Sequence, residues 1–220
     1  MQSTSPIYSL PVLLYHRIVN KQSIIGKHKV YVWEKDFEKQ MQYLKDNGYQ
    51  TITFYDLQRI YGLRTVAFRQ SCIYGTRQFG IEDQGWVAWF TIAAVLGKKI
   101  TIYGDGKQIR DVLHVDDLVR AYEAAATHQD QAIGQAFNVG GGPGNTMSLL
   151  ELLAYLREEL KIDIPLQWDK WRPGDQPVFV CDIRKAQEHL GWQPEISVRQ
   201  GVKNLSAWVN QNAGLFSWLK

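Results

Sequence analysis

Strand-like and helix-like segments alternate along most of this chain. Short runs rich in β-branched and aromatic residues are each followed by a run with helical apolar spacing. The strand-like runs are RTVAFRQSCIYG, KITIYG, AFNVGGG and VFV, and the helix-like runs are WVAWFTIAAVLG, HVDDLVRAYEAAATH, SLLELLAYLREEL and DIRKAQEHLGW. This alternation indicates an α/β fold, in which helices cover a largely parallel sheet.

Residues suited to helix N-termini stand where three of these helices should begin. Ser148 is followed three residues later by Glu151, which predicts a capping box. Asp182 is predicted to be the N-cap of the last helix-like run. Asp116 and Asp117 favour a helix entry because their charges oppose the positive end of the helix dipole.

The beginning of the chain contains a shorter alternation. A strand is predicted over Pro11–Val19, followed by a helix in VWEKDFEKQMQYLKDNGY that ends near Gly48. TITF is interpreted as another strand, and YDLQRIYG as a short helix that ends at Gly62. The character of the sequence changes within that helix. We therefore predict a β-α-β segment over residues 1–57 and a larger α/β part over residues 58–220.

Charge and cysteine content restrict the classes of partner. The net charge is +3 and no Lys/Arg block occurs, so neither a nucleic-acid nor a membrane partner is expected. The longest apolar run, VAWFTIAAVLG, is shorter than the roughly 20 residues of a membrane span. Cys72 and Cys181 suit a reducing compartment without disulfides, and no signal peptide is recognised. A cytoplasmic location is expected.

The segment YGDGKQIRDVLHVDDLV has the features of an anion site. A strand that ends in a glycine turn and is followed by Arg110 can bring a fixed cation to a phosphate group, and Tyr103 offers a flat ring for stacking. Alternatively, Arg110 forms a surface pair with Asp111 or Asp116.

A second segment of the same kind is WRPGDQ. Arg172 stands in a Pro/Gly turn with Asp175 nearby. Two separated arginines can hold a diphosphate from both sides. Alternatively, Arg172 is an ordinary loop charge.

Five segments in order carry a family resemblance: RTVAFRQSCIYGTRQFGIEDQGWVAWF, ITIYGDGKQIRDVLHVDDLVRAYEAA, AFNVGGG, RPGDQPVFVCDIRKAQEHLGWQP and GVKNLSAWV. Together they resemble the C-terminal half of extended short-chain dehydrogenase/reductases that act on nucleotide sugars. The resemblance runs from about Arg59 to about Val209, and the amino-acid sequence is most similar to that of the CDP-paratose/CDP-tyvelose 2-epimerases. It implies the last strands of a Rossmann-type sheet with a substrate-binding subdomain, and a CDP-sugar or another nucleotide sugar as ligand.

The resemblance also assigns roles to individual residues. It implies that Arg110 and Arg172 hold the nucleotide diphosphate. Tyr103 would lie beside the base, with Asp175 in the same wall. The turn after Phe68-Arg69 would contact both the nicotinamide of NAD and the sugar. This implies that Gln70 and Ser71 contact the cofactor and Cys72 the sugar. Many relatives have Asn in place of Cys72, and a thiol is a weaker hydrogen-bonding group than an amide.

Two family motifs are absent from the sequence. No GxxGxxG loop, which would hold the NAD pyrophosphate at a helix N-terminus, precedes Arg59. The catalytic Tyr-x-x-x-Lys pair should fall near Tyr43, but Asn47 stands in the lysine position. The matches at Tyr31–Lys35 and Tyr103–Lys107 lie at a helix entry and in the glycine turn, and are interpreted as chance.

These absences lead us to assign no catalytic residue and to expect a truncated chain that is inactive as an epimerase on its own. Three interpretations follow: an enzyme that obtains the missing half from a partner, a non-catalytic nucleotide-sugar binder, and a non-functional fusion product.

The first segment resembles a different family. PVLLYHRIV and HKVYVWEKDFEKQMQYLKDNGYQTITFYDL, within residues 8–56, resemble the leading segment of NodB-type polysaccharide deacetylases. That family binds a divalent metal through Thr-Phe-Asp-Asp and His-x-x-x-His motifs, and neither occurs here. We therefore expect no metal site and interpret His16 as structural. Deacetylase activity is a distant alternative.

A sheet that lacks its first half should leave apolar helix faces uncovered. We therefore expect Trp86, Trp89 and Phe90 to be exposed and to promote self-association.

Overall fold

The computed structural model describes residues 12–13, 15, 17–22, 31–172 and 174–219. The chain divides into two compact units, Met1–Ile52 and Thr53–Lys220. The boundary that we predict from the sequence, between residues 57 and 58, stays a prediction.

The first unit contains a parallel strand pair and one helix. Its elements are β1 (Arg17–Val19), β2 (Tyr31–Trp33) and α1 (Glu34–Asp46). The strands β1 and β2 pair in parallel, with Ile18 opposite Val32. The predicted helix is confirmed, and Gly48 donates its N–H to the Lys45 carbonyl just after the helix ends. Of the predicted strand over Pro11–Val19, only the last three residues form a strand, while Pro11, Leu14 and His16 lie outside the described residues.

The second unit has the predicted α/β architecture, and the fold class is confirmed. Its strands are β3 (Ala67–Gln70), β4 (Cys72–Tyr74), β5 (Ile100–Tyr103), β6 (Ile109–His114), β7 (Ala136–Val139), β8 (Thr146–Ser148), β9 (Leu166–Asp169) and β10 (Val178–Phe179). Its helices are α2 (Phe54–Tyr61), α3 (Trp86–Val95), α4 (Val115–Thr127), α5 (Gln129–Ala132), α6 (Leu149–Glu158), α7 (Arg184–Leu190) and α8 (Val198–Gln211).

Strand β6 is at the centre of the largest sheet. It pairs in parallel with β4 on one side and with β10 on the other, and antiparallel with β8. Two further parallel pairs, β3 with β7 and β5 with β9, complete the strands of the second unit. Parallel pairs joined through helices are what the alternating sequence predicts.

The apolar side chains of helix α3 are covered, which corrects the expectation of exposed aromatic faces. Phe90 is only 5% exposed and belongs to a core cluster, and the half-buried Trp86 and Trp89 pack against that cluster. The cover comes from α6 and α8, whose buried side chains belong to the same cluster. None of the described helices has the length and apolarity needed to cross a bilayer.

The segment TITF is not a strand, and this prediction was wrong. Thr53 is instead the N-cap of α2, and its Oγ1 accepts the N–H of Asp56 at 3.2 Å. Asp56 returns the contact by accepting the N–H of Thr53 at 2.9 Å. This reciprocal capping box satisfies two backbone donors at the helix entry, which outweighs the strand propensity of a Thr-Ile-Thr-Phe run.

The other predicted helix entries behave differently. The capping box of Ser148 and Glu151 is confirmed at the start of α6. The cap of α7 is displaced by one residue: Ile183 is the N-cap, and Asp182 accepts the N–H of Arg184 at 3.0 Å. Asp117 is fully buried and accepts backbone N–H groups of Glu195 and Ile196, each at 3.1 Å, so it anchors a loop rather than only favouring the helix dipole.

Candidate functional site

A turn with two left-handed glycines follows strand β5. Gly104 has a φ of 82° and Gly106 a φ of 72°, a backbone conformation that other residues rarely adopt. A Cβ atom on Gly104 would come within 2.6 Å of the Trp171 ring. Glycine therefore allows this turn to meet the segment that carries Arg172.

Arg110 and Asp175 form an ion pair beside this turn. Arg110 Nη2 lies 2.7 Å from Asp175 Oδ1, and both side chains are mostly buried, with exposures of 20% and 26%. Arg110 Nη1 also donates to the Ile109 carbonyl at 2.8 Å. The sequence analysis offered a surface pair between Arg110 and Asp111 or Asp116 as an alternative. The structure pairs Arg110 with Asp175 instead.

Gln108 connects this ion pair to the end of β5. Its Nε2 donates to the Tyr103 carbonyl at 2.6 Å and to Asp175 Oδ2 at 3.2 Å. The Asp175 N–H in turn donates to the Arg172 carbonyl at 3.1 Å. The Oε1 atom of Gln108 is buried without a partner among the described residues. Gln108 thus fixes Asp175 relative to the glycine turn.

Arg172 lies against the ring of Tyr103. Its guanidinium carbon is 3.9 Å from the ring centroid, a close cation–π contact. Arg172 Nη2 also contacts Asp83 Oδ1 and donates to the Glu82 carbonyl, both at 3.2 Å. The Tyr103 hydroxyl donates to Glu82 Oε1 at 3.1 Å. The structure therefore brings Tyr103, Arg110, Arg172 and Asp175 into one connected network, and their role in ligand binding stays a prediction.

This network contains two guanidinium groups and the carboxylates of Glu82, Asp83 and Asp175. Among the described residues each guanidinium pairs with one of these carboxylates, and an arginine fork has five donors, so donors remain for a second acceptor. A phosphate group matches the geometry of a guanidinium fork as well as a carboxylate does. Phosphate and carboxylate are thus alternative partners for the same guanidinium donors.

The other three predicted residues lie at the junction of β3 and β4. Ser71 donates its hydroxyl to Asp111 Oδ1 at 2.6 Å, and Gly142 donates its N–H to Asp111 Oδ2 at 3.2 Å. Asp111 is completely buried and is the neighbour of Arg110 on β6. The Ser71 hydroxyl therefore serves the internal packing of the strands in this structure.

Gln70 and Cys72 flank Ser71. Gln70 donates its side-chain amide to the Tyr122 hydroxyl at 2.8 Å. Burial raises the pKa of the Cys72 thiol to about 11, so this group is neutral at physiological pH. Cys72 stands opposite Val112 of β6, two residues beyond Arg110. A neutral thiol at this position offers a ligand only weak hydrogen bonding.

Sequence reasoning missed four residues of the network: Glu82, Asp83, Gln108 and Trp171. Gln108 and Trp171 lie within the quoted segments YGDGKQIRDVLHVDDLV and WRPGDQ, so their position beside the predicted residues was an available signal. Glu82 and Asp83 are more than 15 residues from the motifs, and only tertiary structure brings them to Arg172.

A cleft of about 630 Å³ lies elsewhere in the second unit. It is bounded by the glycine loop after β7, the beginning of α7 and residues 193–195. None of the predicted site residues lines it. Within the part of the chain that the structure describes, no group of three or more His, Cys, Asp or Glu side chains could hold a metal ion.

Comparison with protein families connects the chain to sugar-nucleotide enzymes. Residues 42–140 match the profile of the NAD dependent epimerase/dehydratase family. The chain is 36% identical over 214 residues to CDP-paratose 2-epimerase of Salmonella typhi, covering 94% of this chain and 63% of that protein. It is 31% identical to a putative UDP-glucose 4-epimerase of Methanocaldococcus jannaschii, covering 75% of this chain and 51% of that protein.

Solved structures give the same result. UDP-glucose 4-epimerase of Thermotoga maritima with UDP-glucose superposes with a TM-score of 0.64 at 30% identity, covering 80% of this chain and 52% of that one. MoeE5 in complex with UDP-glucose and NAD superposes with a TM-score of 0.60 at 28% identity, covering 67% and 47%.

This chain thus has nucleotide-sugar epimerases among its relatives and spans about half to two thirds of their length. The family match begins at residue 42, inside the segment predicted to resemble deacetylases, and the comparisons give that second resemblance no support.

Proposed function

We propose that this chain, which shares the fold and the sequence features of the NAD dependent epimerase/dehydratase family, binds a nucleoside diphosphate sugar through its second unit. One observation carries the proposal. Tyr103 and Arg110 come from one sequence segment and Arg172 and Asp175 from another, yet the four form one network around the Gly104–Gly106 turn. Two arginines and an aromatic ring are the groups that a diphosphate joined to a base requires.

The diphosphate would contact the guanidinium groups of Arg110 and Arg172. Arg172 would exchange its partly exposed partner Asp83 for phosphate, while Arg110 would bind phosphate through guanidinium donors that Asp175 does not use. One face of the Tyr103 ring is covered by Arg172. A base would therefore stack on the opposite face, or on this face after the guanidinium turns to the phosphate.

We propose a CDP-sugar as the preferred ligand. The supporting observation is the 36% identity to CDP-paratose 2-epimerase over 94% of this chain. Other relatives are named for UDP-glucose and dTDP-glucose, so the choice of cytosine as the base is the most specific element of the proposal.

The residues of this chain fit NAD poorly. The Ser71 hydroxyl is engaged by Asp111 and the Gln70 amide by Tyr122, which leaves few donors for a nicotinamide. The sequence before Arg59 contains only Gly26 and Gly48, so no glycine loop holds a pyrophosphate there. We therefore derive no reaction step through NAD and propose that this chain binds nucleotide sugars without epimerising them on its own.

Titration of CDP, UDP and NAD tests the proposal. We expect CDP to bind the wild type with a Kd in the millimolar range, and NAD not to bind measurably. Arg110→Ala and Arg172→Ala should each lose about ten- to hundredfold in CDP affinity, because each removes a charge-assisted contact to phosphate.

Arg199→Ala is the matched control, since Arg199 is an exposed arginine of α8 with one carboxylate partner, Glu159. Its CDP affinity should equal that of the wild type. Equal binding by all variants, or tight binding of NAD, would contradict the proposed function.

A further inference from the structure

A two-residue hairpin faces the candidate site. Ile81 and Gln84 exchange two backbone hydrogen bonds, each of 3.0 Å, so Glu82 and Asp83 form the tip between them. Both tip residues are acidic. The hairpin therefore presents two carboxylates at the end of a short, hydrogen-bonded turn.

The base of the hairpin is fixed by close packing. A Cβ atom on Gly80 would come within 2.6 Å of the Trp89 backbone nitrogen, in the first turn of α3. Gly85 has a φ of 76° and is the N-cap of α3. Two glycines thus hold the base of the hairpin against the start of a buried helix.

The tip contacts two of the residues that we propose for ligand binding. Asp83 Oδ1 and the Glu82 carbonyl both lie 3.2 Å from Arg172 Nη2, and Glu82 Oε1 accepts the Tyr103 hydroxyl at 3.1 Å. With these contacts in place, the guanidinium of Arg172 stays on the Tyr103 ring.

We propose that Glu82 and Asp83 form an acidic latch, which occupies Arg172 and Tyr103 in the absence of ligand and which an anionic ligand must displace. The inference rests on the proposed function and adds a regulatory contact to that site. Carboxylate and phosphate compete for the same guanidinium donors. The Arg172 and Asp83 side chains are 34% and 51% exposed, so the pair is weak enough to exchange.

The second acidic partner in the network, Asp175, has the opposite role. Its carboxylate is held by both Arg110 and Gln108, and its backbone N–H bonds to the Arg172 carbonyl. Asp175 therefore positions the arginines, whereas Asp83 competes for one of them. The two carboxylates should respond to neutralisation in opposite directions.

Titration of CDP into Asp83→Asn tests the latch. The substitution keeps the size of the side chain and removes the charge that competes with phosphate. We expect CDP affinity to rise about two- to fivefold, the range of an exposed ion pair. The double variant Glu82→Gln/Asp83→Asn should bind CDP at least as tightly, because it also weakens the acceptor of the Tyr103 hydroxyl.

Two further variants make the result specific. Asp130→Asn changes the charge equally at an exposed residue of α5, and its CDP affinity should stay at the wild-type value. Asp175→Asn should lower CDP affinity.

Failure of the latch and failure of the binding site give different results. If CDP binds the wild type and is lost in Arg172→Ala, but Asp83→Asn leaves the affinity unchanged or lower, the latch is refuted and the proposed function stands. If Asp130→Asn raises CDP affinity as much as Asp83→Asn does, the increase comes from the change in the net charge of the protein, and the latch is likewise refuted. If CDP binds only after Asp83→Asn, the latch is supported. Binding to none of the proteins refutes both.

Discussion

His114 is buried at the end of strand β6, with only 2% of its surface exposed. Its Nδ1 accepts the Asp116 N–H at 3.3 Å and so caps helix α4, while Nε2 is buried without a partner among the described residues. Burial lowers the pKa of His114 below its ordinary value of 6.5, although the nearby carboxylate of Asp116 opposes part of this shift. The charged imidazolium is therefore disfavoured in the folded state.

This lowered pKa makes stability depend on pH in a definite direction. Above pH 6.5, His114 is neutral in both states and the folded state keeps its full stability. Below pH 6.5, the unfolded chain takes up a proton that the folded chain does not, so the free energy of unfolding falls until the folded-state pKa is reached. We expect His114→Asn, which retains a capping oxygen, to reduce this pH dependence.

Urea unfolding between about pH 5 and pH 7 measures the effect. His189→Asn is the control, because His189 is exposed on α7. An identical pH dependence in the wild type and in His114→Asn would contradict the assignment.

A site residue could be predicted from the sequence where the residues around it already indicate a site. Tyr103, Arg110, Arg172 and Asp175 lie in or beside glycine- or proline-containing turns, so their local sequence already indicates a polar site. Ser71 has no such signal, because its hydroxyl is directed by Asp111, a residue 40 positions away in the sequence. The same holds for Glu82 and Asp83, whose approach to Arg172 depends on how α3 packs.

At the scale of elements, helix α6 depends on its capping box. Ser148 Oγ accepts the Glu151 N–H at 3.2 Å, and Glu151 accepts the Ser148 N–H at 2.7 Å. Ser148→Ala should lower the free energy of unfolding by about 1 kcal/mol, because an orphan donor at the helix entry loses its acceptor. Chemical denaturation measures this change.

Ser217→Ala provides the comparison, since Ser217 is exposed after the last short helical turn. A surface substitution of this kind should change stability by less than about 0.5 kcal/mol. If the two variants lose equal stability, the capping box is not the cause.

A helix or strand was predicted correctly where its capping residues and its apolar pattern indicated the same structure. The Ser-x-x-Glu pattern identified α6 because an apolar periodic run follows it. The related Thr-x-x-Asp pattern at Thr53 was overlooked because the preceding residues favour a strand. Strand β9 was not predicted, because its sequence LQWD is only four residues long and the strand is defined by its pairing with β5.

At the scale of the whole molecule, apolar side chains remain on the surface. Four residues of α2, each more than half exposed, are Phe54, Tyr55, Ile60 and Tyr61. Exposed apolar area of this kind favours association. We therefore expect the sedimentation coefficient to rise with protein concentration, and Tyr55→Glu/Ile60→Lys to reduce that rise.

Lys203→Glu alters charge at an exposed position of α8, outside the apolar surface of α2, and should sediment as the wild type does. A single monomeric species at all concentrations would contradict the expectation. Because Phe90 is buried and Trp86 and Trp89 are half-buried, we place the expected contact on α2 rather than on α3.

Strand β6 has one more consequence. It carries Arg110 near its first residue and His114 at its last, and Ile109 and Arg110 are flanked by β10 and β8. To release Arg110 from this strand, both neighbours must separate from it, whereas β4 pairs with the later residues Val112–His114. We therefore expect a local opening of the first half of β6 to separate Arg110 from Asp175 while the pairing of β4 with β6 persists, so that ligand at the site would stabilise this end of the sheet first.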